Sequence, residues 1–105
     1  MKEQQFQITQ AENIVRICDV FRMLSEPSRL KIVVSLLSGE RCVYDILKVV
    51  GGTQSALSHQ LRVLKDNRVL RVRRDGQNMY YSLADDHVRQ IVELGLRHGE
   101  CAGEL

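Results

Sequence analysis

The stretch TQSALSHQLRVLKDNRVLRVRRDGQNMYYSL, residues 53–83, decides the fold. Thr53 is a good N-cap, and helical spacing continues from it to about Asn67. At about 100° per residue, Leu57, Leu61 and Leu64 fall on one narrow face, while Ser55, Ser58, His59 and Arg62 cluster on the opposite side. From Val69 to Leu83 the period changes. Leu70, Arg71, Val72 and Arg73 alternate, Asp75-Gly76 signals a two-residue hairpin, and Met79, Tyr80 and Tyr81 suit a returning strand. Short hydroxyls, an imidazole and a guanidinium on an outward face can reach phosphates and base edges in a major groove. Arg73, Arg74, Gln77 and Asn78 flank the hairpin turn beside them. Gln54, Ser55, Ser58, His59, Arg62, Arg73, Arg74, Gln77 and Asn78 are therefore the candidate DNA-binding residues. The plain alternative for the helix is a polar outer face of the kind every globular protein carries.

Upstream, Ile14, Val15, Ile17, Cys18, Phe21 and Leu24 recur at helical spacing from about Gln10 to Leu24. Ser25-Glu26-Pro27 breaks the chain, and Pro27 suits the first turn of a helix running to about Leu37. Ser38-Gly39 ends it. Val43, Ile46, Leu47 and Val50 share one side of a short helix that Gly51-Gly52 stops. This short helix, the glycine turn and the helix from Thr53 make a helix-turn-helix. Downstream, Asp85-Asp86 places negative charge at the start of a last helix reaching about Glu100. The order is ααααββα, mainly α with a small β-hairpin wing: a winged helix-turn-helix.

The 105 residues suit one domain, 1–105, with polar residues 1–8 expected to fray. A chain of this length leaves little room for a deep substrate cleft, and Ser58-His59 lack an orienting acid, so no enzyme is expected. No apolar run approaches the roughly 20 residues that span a bilayer, and no secretion signal precedes the domain, so no membrane partner is expected. Cys18, Cys42 and Cys101 are odd in number and far apart, which suits reduced thiols in the cytoplasm. Charge is unevenly spread. Residues 53–80 carry six basic side chains against Asp66 and Asp75, whereas residues 81–105 carry two against five acidic ones. Such a chain could present a polyanion-binding middle and a cation-attracting end, or merely two solvated faces of opposite sign.

The segments LSEPSRLKIVVSLLSGERCVYDI and TQSALSHQLRVLKDNRVLRVRRDGQNMYYSL closely resemble the ArsR/SmtB family of winged-helix transcriptional repressors. The resemblance runs from about Val20 to Cys101, and its most specific parts are SALSHQL, RRDGQNMYYSL and CVYD. It implies a homodimer built through the first and last helices, binding to double-stranded operator DNA without inducer, and release when a metal or other signal binds.

The last helix is where a signal could bind. His87, His98 and Cys101 share one face of it. Eleven residues nevertheless separate the two histidines by about 16 Å along the axis, too far for one zinc. Antiparallel packing of two copies would bring Asp85 and His87 of one beside His98 and Cys101 of the other, twice per dimer. Ile91 and Leu94 lie between the histidines, and Val88, Val92 and Leu96 form a second stripe, so one stripe can face the subunit's own core and the other its partner. The alternative is an interfacial helix with incidental histidines. By the resemblance, zinc and cobalt sensors use an Asp-x-His pair, a later His, and a His or Glu three residues on. Asp85, His87 and His98 match, while Cys101 takes the fourth position, with Glu100 or a water as substitutes. Zinc is the expected ion, with cobalt, nickel or cadmium as alternatives. The resemblance also implies that His98 passes its second ring hydrogen bond to backbone near Arg68, where reading helix and wing meet.

A second family site is incomplete. Cys42 and Asp45 match ligands of some members, but Tyr44 replaces the second cysteine of the Cys-x-Cys version, and no Cys or His precedes Cys18. Cys42 and Cys18 both read as small core residues. Two other functions stay open: a thiol sensor of the same fold answering oxidant, persulfide or arsenite, and a dimeric metal-binding or interaction module that no longer touches DNA.

Overall fold

The computed structural model describes residues 11–103, with side chains to residue 100. The expectation for residues 1–8 and the Cys101 side chain lie outside that description. Five helices and three strands follow in the order α1 (Ala11–Leu24), α2 (Pro27–Ser35), β1 (Arg41–Cys42), α3 (Val43–Val50), α4 (Gln54–Asp66), β2 (Leu70–Asp75), β3 (Asn78–Leu83) and α5 (Asp86–Gly103). Pro27 begins α2, and the Glu26 carboxylate accepts from the Arg29 backbone N–H at 3.0 Å. Thr53 caps α4 by accepting from the Ala56 N–H at 3.2 Å.

Ile32, Val33 and Leu36 from α2, Ile46 from α3, and Leu57, Leu61 and Leu64 from α4 form the buried core, closed by Val69, Leu70 and Leu83 from the hairpin and Val92 from α5. The leucine stripe of α4 thus faces inward as its spacing requires. Burial of this kind contributes roughly 1.5–3 kcal/mol per large apolar side chain.

Five details depart from the sequence reading. The sheet has three strands in the order β1-β3-β2, all antiparallel, because Arg41 and Cys42 pair with Tyr81 and Tyr80. The hairpin loop is Gly76-Gln77, one residue later than Asp75-Gly76, because Asp75 pairs with Asn78. Gly76 at φ +65 supplies the left-handed residue such a loop needs. Helix α2 stops at Ser35, where the Leu36 N–H turns back to the Val33 carbonyl at 3.0 Å and the Leu37 N–H to the Val34 carbonyl at 3.1 Å. Cys18 is exposed, as are its neighbours Ile14, Ile17 and Phe21. Apolar residues at helical spacing mark a face that needs covering, and here the other described residues do not cover it. Cys42, expected in the core, is half-buried.

Candidate functional site

The end of α4 shows how reading helix and wing are joined. Asn67 caps the helix, the Arg68 N–H donates to the Lys65 carbonyl at 3.0 Å, and the Val69 N–H reaches the Leu64 carbonyl at 2.9 Å. This is a Schellman closure with Arg68 in the left-handed position at φ +63, where glycine is usual. Strand β2 begins two residues later. The direction of the wing is therefore set by the last turn of the reading helix.

Gln54, Ser55, Ser58, His59 and Arg62 are all exposed on α4, opposite the buried leucines. Gln54 and Ser58 share a groove of about 410 Å³ with Gln77 and Asn78 of the wing. Helix start and wing tip, 23 residues apart between Gln54 and Gln77, thus come together on one surface. The groove also takes in Tyr44, a residue the sequence reading had considered only as a replaced metal ligand. Its ring is exposed, and the Lys48 ammonium stands 5.3 Å from the ring centroid. The available signal was its place off the apolar side of α3, one turn from a lysine.

Behind α4, the Arg29 guanidinium donates to the carbonyls of Met23 and Arg22 at 2.9 and 3.2 Å and to Gln60 Oε1 at 3.5 Å. It ties the end of α1 to the middle of the reading helix. Charge assistance makes such bonds stronger than neutral ones.

The two wing arginines have different surroundings. Arg74 is exposed, and among the described residues it has no ion-pair partner. Arg73 makes a two-pronged bond to Glu40, Nε to Oε2 at 2.9 Å and Nη2 to Oε1 at 2.8 Å, and lies 4.7 Å from the Tyr80 ring centroid. The hydrogen bonds from Arg73 hold the Glu40 carboxyl below its ordinary range and raise the guanidinium in turn.

At the opposite end, Asp85 is the N-cap of α5 and not part of it. Its Oδ1 accepts from the Val88 N–H at 3.1 Å and stands 3.5 Å from His87 Nδ1. Both side chains are exposed and open into a cleft of about 490 Å³ that Asp19 and Arg16 of α1 and Arg68 also line. His98 is exposed farther along α5. Among the described residues, no three His, Cys, Asp or Glu side chains gather as a metal set. A carboxylate oxygen and an imidazole nitrogen this close fit two of the four ligands of tetrahedral zinc. Val92 is buried and Val88 packs on the core, whereas Ile91, Leu94 and Leu96 are exposed, and Ile91 and Leu96 line a cleft with Phe21 of α1. Leu96, grouped with Val92 by spacing, belongs to the outward stripe. No helix among the described residues is long and apolar enough to cross a membrane.

Comparison with known proteins places these features. The family model for bacterial regulatory proteins of the arsR family matches residues 26–72, from the α2 cap into β2. A cadmium resistance transcriptional regulatory protein, a CadC homolog from Staphylococcus aureus, is 39% identical over 88 residues, covering 83% of this chain and 73% of that protein. The crystal structure of the AntR antimony-specific transcriptional repressor superposes with a TM-score of 0.84 at 35% identity, covering 99% of this chain and 94% of that one. The homodimeric winged helix-turn-helix DNA-binding domain of Mb0332 from Mycobacterium bovis superposes with a TM-score of 0.80 at 27% identity, covering 95% and 91%. The chain is thus a winged helix-turn-helix transcriptional regulator, not an enzyme, and it belongs to the ArsR family of bacterial regulatory proteins.

Proposed function

We propose that the protein is a metal-responsive repressor that binds double-stranded operator DNA as a homodimer in the cytoplasm and leaves it when zinc or a similar divalent ion binds between paired α5 helices. The observation that carries the metal reading is the Asp85–His87 pair, 3.5 Å apart at the start of α5 and opening into a cleft shared with Arg68. Each site would be completed by His98 and Cys101 of the partner subunit. The dimer reading is supported by the outward apolar faces of α1 and α5, whose Ile17, Phe21, Ile91 and Leu94 are each more than a third exposed in the single chain. A second copy related by a two-fold axis would cover both helices at once. A homodimeric neighbour of the same fold adds to this.

Bound zinc would supply a fixed positive charge and a tetrahedral cross-link between subunits. The chain's own contribution is to hold the ligands and pass on their orientation. Asp85 orients His87 while its own position is fixed by the Val88 N–H. By the family resemblance, His98 would donate its second ring N–H to backbone near Arg68. Arg68 sits where the reading helix turns into the wing, so holding the backbone there would constrain the angle between them. Release requires that the ion bind the free dimer better than the DNA-bound one, by a coupling of about 1–3 kcal/mol, and the preference is reciprocal.

Cobalt titration of the purified dimer, with and without DNA, tests this reading. Two ions per dimer, a tetrahedral spectrum with thiolate absorption and weaker DNA binding are expected. Substituting His98 should abolish the coupling even where some ion remains bound. A His98 variant that still releases DNA on metal addition would refute the coupling route and leave DNA binding standing.

A second reading rests on Cys18, which is exposed on α1 where core burial was expected. A thiol or metalloid sensor of the same fold would use it with Cys42 or Cys101, and the antimony-specific neighbour makes that chemistry relevant. In that case cysteine substitutions abolish the response and His87→Ala does not.

A further inference from the structure

Strand alternation separates the wing arginines. Leu70, Val72 and Arg74 share one face of β2, and Arg71 and Arg73 the other. Leu70 is buried and Val72 half-buried. Their cross-strand partners identify the first face further. Met79, opposite Arg74, and Tyr81, opposite Val72, line the groove that holds Gln54 and Ser58 of the reading helix. Arg74 therefore stands on the face turned toward the candidate DNA-binding groove.

Arg73 stands on the other face. Tyr80 is its cross-strand partner on β3, and Cys42 of β1 pairs with Tyr80 from the far side. The guanidinium lies over the Tyr80 ring and reaches Glu40, the residue just before β1, with both prongs. Asp75 stands 4.0 Å from its Nη1. One side chain thus crosses the middle strand and joins the two outer ones. Its donors face two carboxylates and an aromatic ring, an arrangement suited to a guanidinium and not to an ammonium.

We propose that Arg73 is a positioning residue that straps the wing to the β1 edge through Glu40, and that Arg74 makes the wing's contact with DNA phosphate. This rests on the DNA-binding reading and revises the expectation that both arginines meet phosphate.

The distinction can be read from salt dependence. Each phosphate neutralised adds about 0.9 to the slope of log K against log salt. The probe is a duplex selected from random sequence by the wild-type protein, and anisotropy is followed across a salt series. R74A should weaken binding and flatten the slope by about one contact. R73A and E40Q should weaken binding severalfold to a similar degree, leave the slope unchanged, and show no further loss when combined. R73K should behave like R73A, because the two-pronged bond is lost although the charge remains. Circular dichroism of each variant confirms that the fold is kept.

The opposite pattern overturns the assignment. If Arg73 touches phosphate, R73A flattens the slope, R73K restores it, and E40Q tightens binding by removing a competing carboxylate. An R73A protein indistinguishable from wild type also overturns it. Absence of salt-dependent binding by the wild-type protein would instead refute the DNA-binding reading itself.

Discussion

The two ends of the molecule are built to different degrees of completion. Along α4 the helix's requirements are met within one chain: Leu57, Leu61 and Leu64 are buried, Thr53 caps the helix start, and polar groups face outward. Around α1 and α5 the same kinds of residue remain unfinished. Ile17, Phe21 and Leu94 are about half or more exposed, and Asp85 and His87, 3.5 Å apart, gather no third His, Cys, Asp or Glu among the described residues. The reading head is a finished object, whereas the proposed sensing end has the form of one half of an object. A regulator benefits from that division, because a signal received where two copies meet can alter the distance between two rigid heads.

Leucines at the two ends give the largest contrast. Leu61→Ala should cost about 2–5 kcal/mol in urea unfolding at any protein concentration, since Leu61 is 1% exposed. Leu94→Glu, at a site 61% exposed in the single chain, should instead weaken self-association by about 2 kcal/mol or more while leaving the helix content of the separated chain intact. Sedimentation across a dilution series measures it, and a Leu94→Glu protein that associates like wild type would erase the contrast.

Smaller effects sharpen it. Thr53→Ala should lower stability by about 1 kcal/mol through loss of the cap on α4, read by chemical denaturation. Arg68→Gly should raise stability by up to about 1 kcal/mol, because glycine adopts the left-handed conformation without a side-chain clash. The smallest effect concerns the wing strap. The pKa of Glu40 is lowered by the hydrogen bonds from Arg73, so its contribution is present above the unfolded-state pKa and is lost as pH falls through the folded one. Carbon-13 titration of the Glu40 carboxyl should therefore show an acid-shifted midpoint that returns to the ordinary range in R73A.

The reading head was legible in the sequence because its signals are local. Thr53, the leucine stripe and Ser55, Ser58 and Arg62 all lie within a few helical turns, so one helical wheel resolves inside from outside. Strand β1 was illegible because two residues carry no period and acquire their structure from Tyr80 and Tyr81. The partnership of Arg73 with Glu40 spans 33 residues and leaves no local trace. On α1, hydrophobic spacing marked an apolar face correctly, but that face is exposed among the described residues instead of packed in the core. Cys18 was misread for that reason. The wheel puts His87, His98 and Cys101 on a shared face of α5 and Asp85 off it, and Asp85 reaches His87 by standing outside the helix as its cap.

The three-stranded sheet has a kinetic consequence. The β2–β3 hairpin closes over a two-residue loop and belongs to the microsecond class of folding events. Pairing of Arg41 and Cys42 with Tyr81 and Tyr80 closes a loop of about forty residues, which contains α3, α4 and β2, and its entropy cost must be met before it returns any stabilisation. In a chain made from its N-terminus, α3 and α4 precede both wing strands, so the β1–β3 pairing can be completed only after Tyr81 has been added.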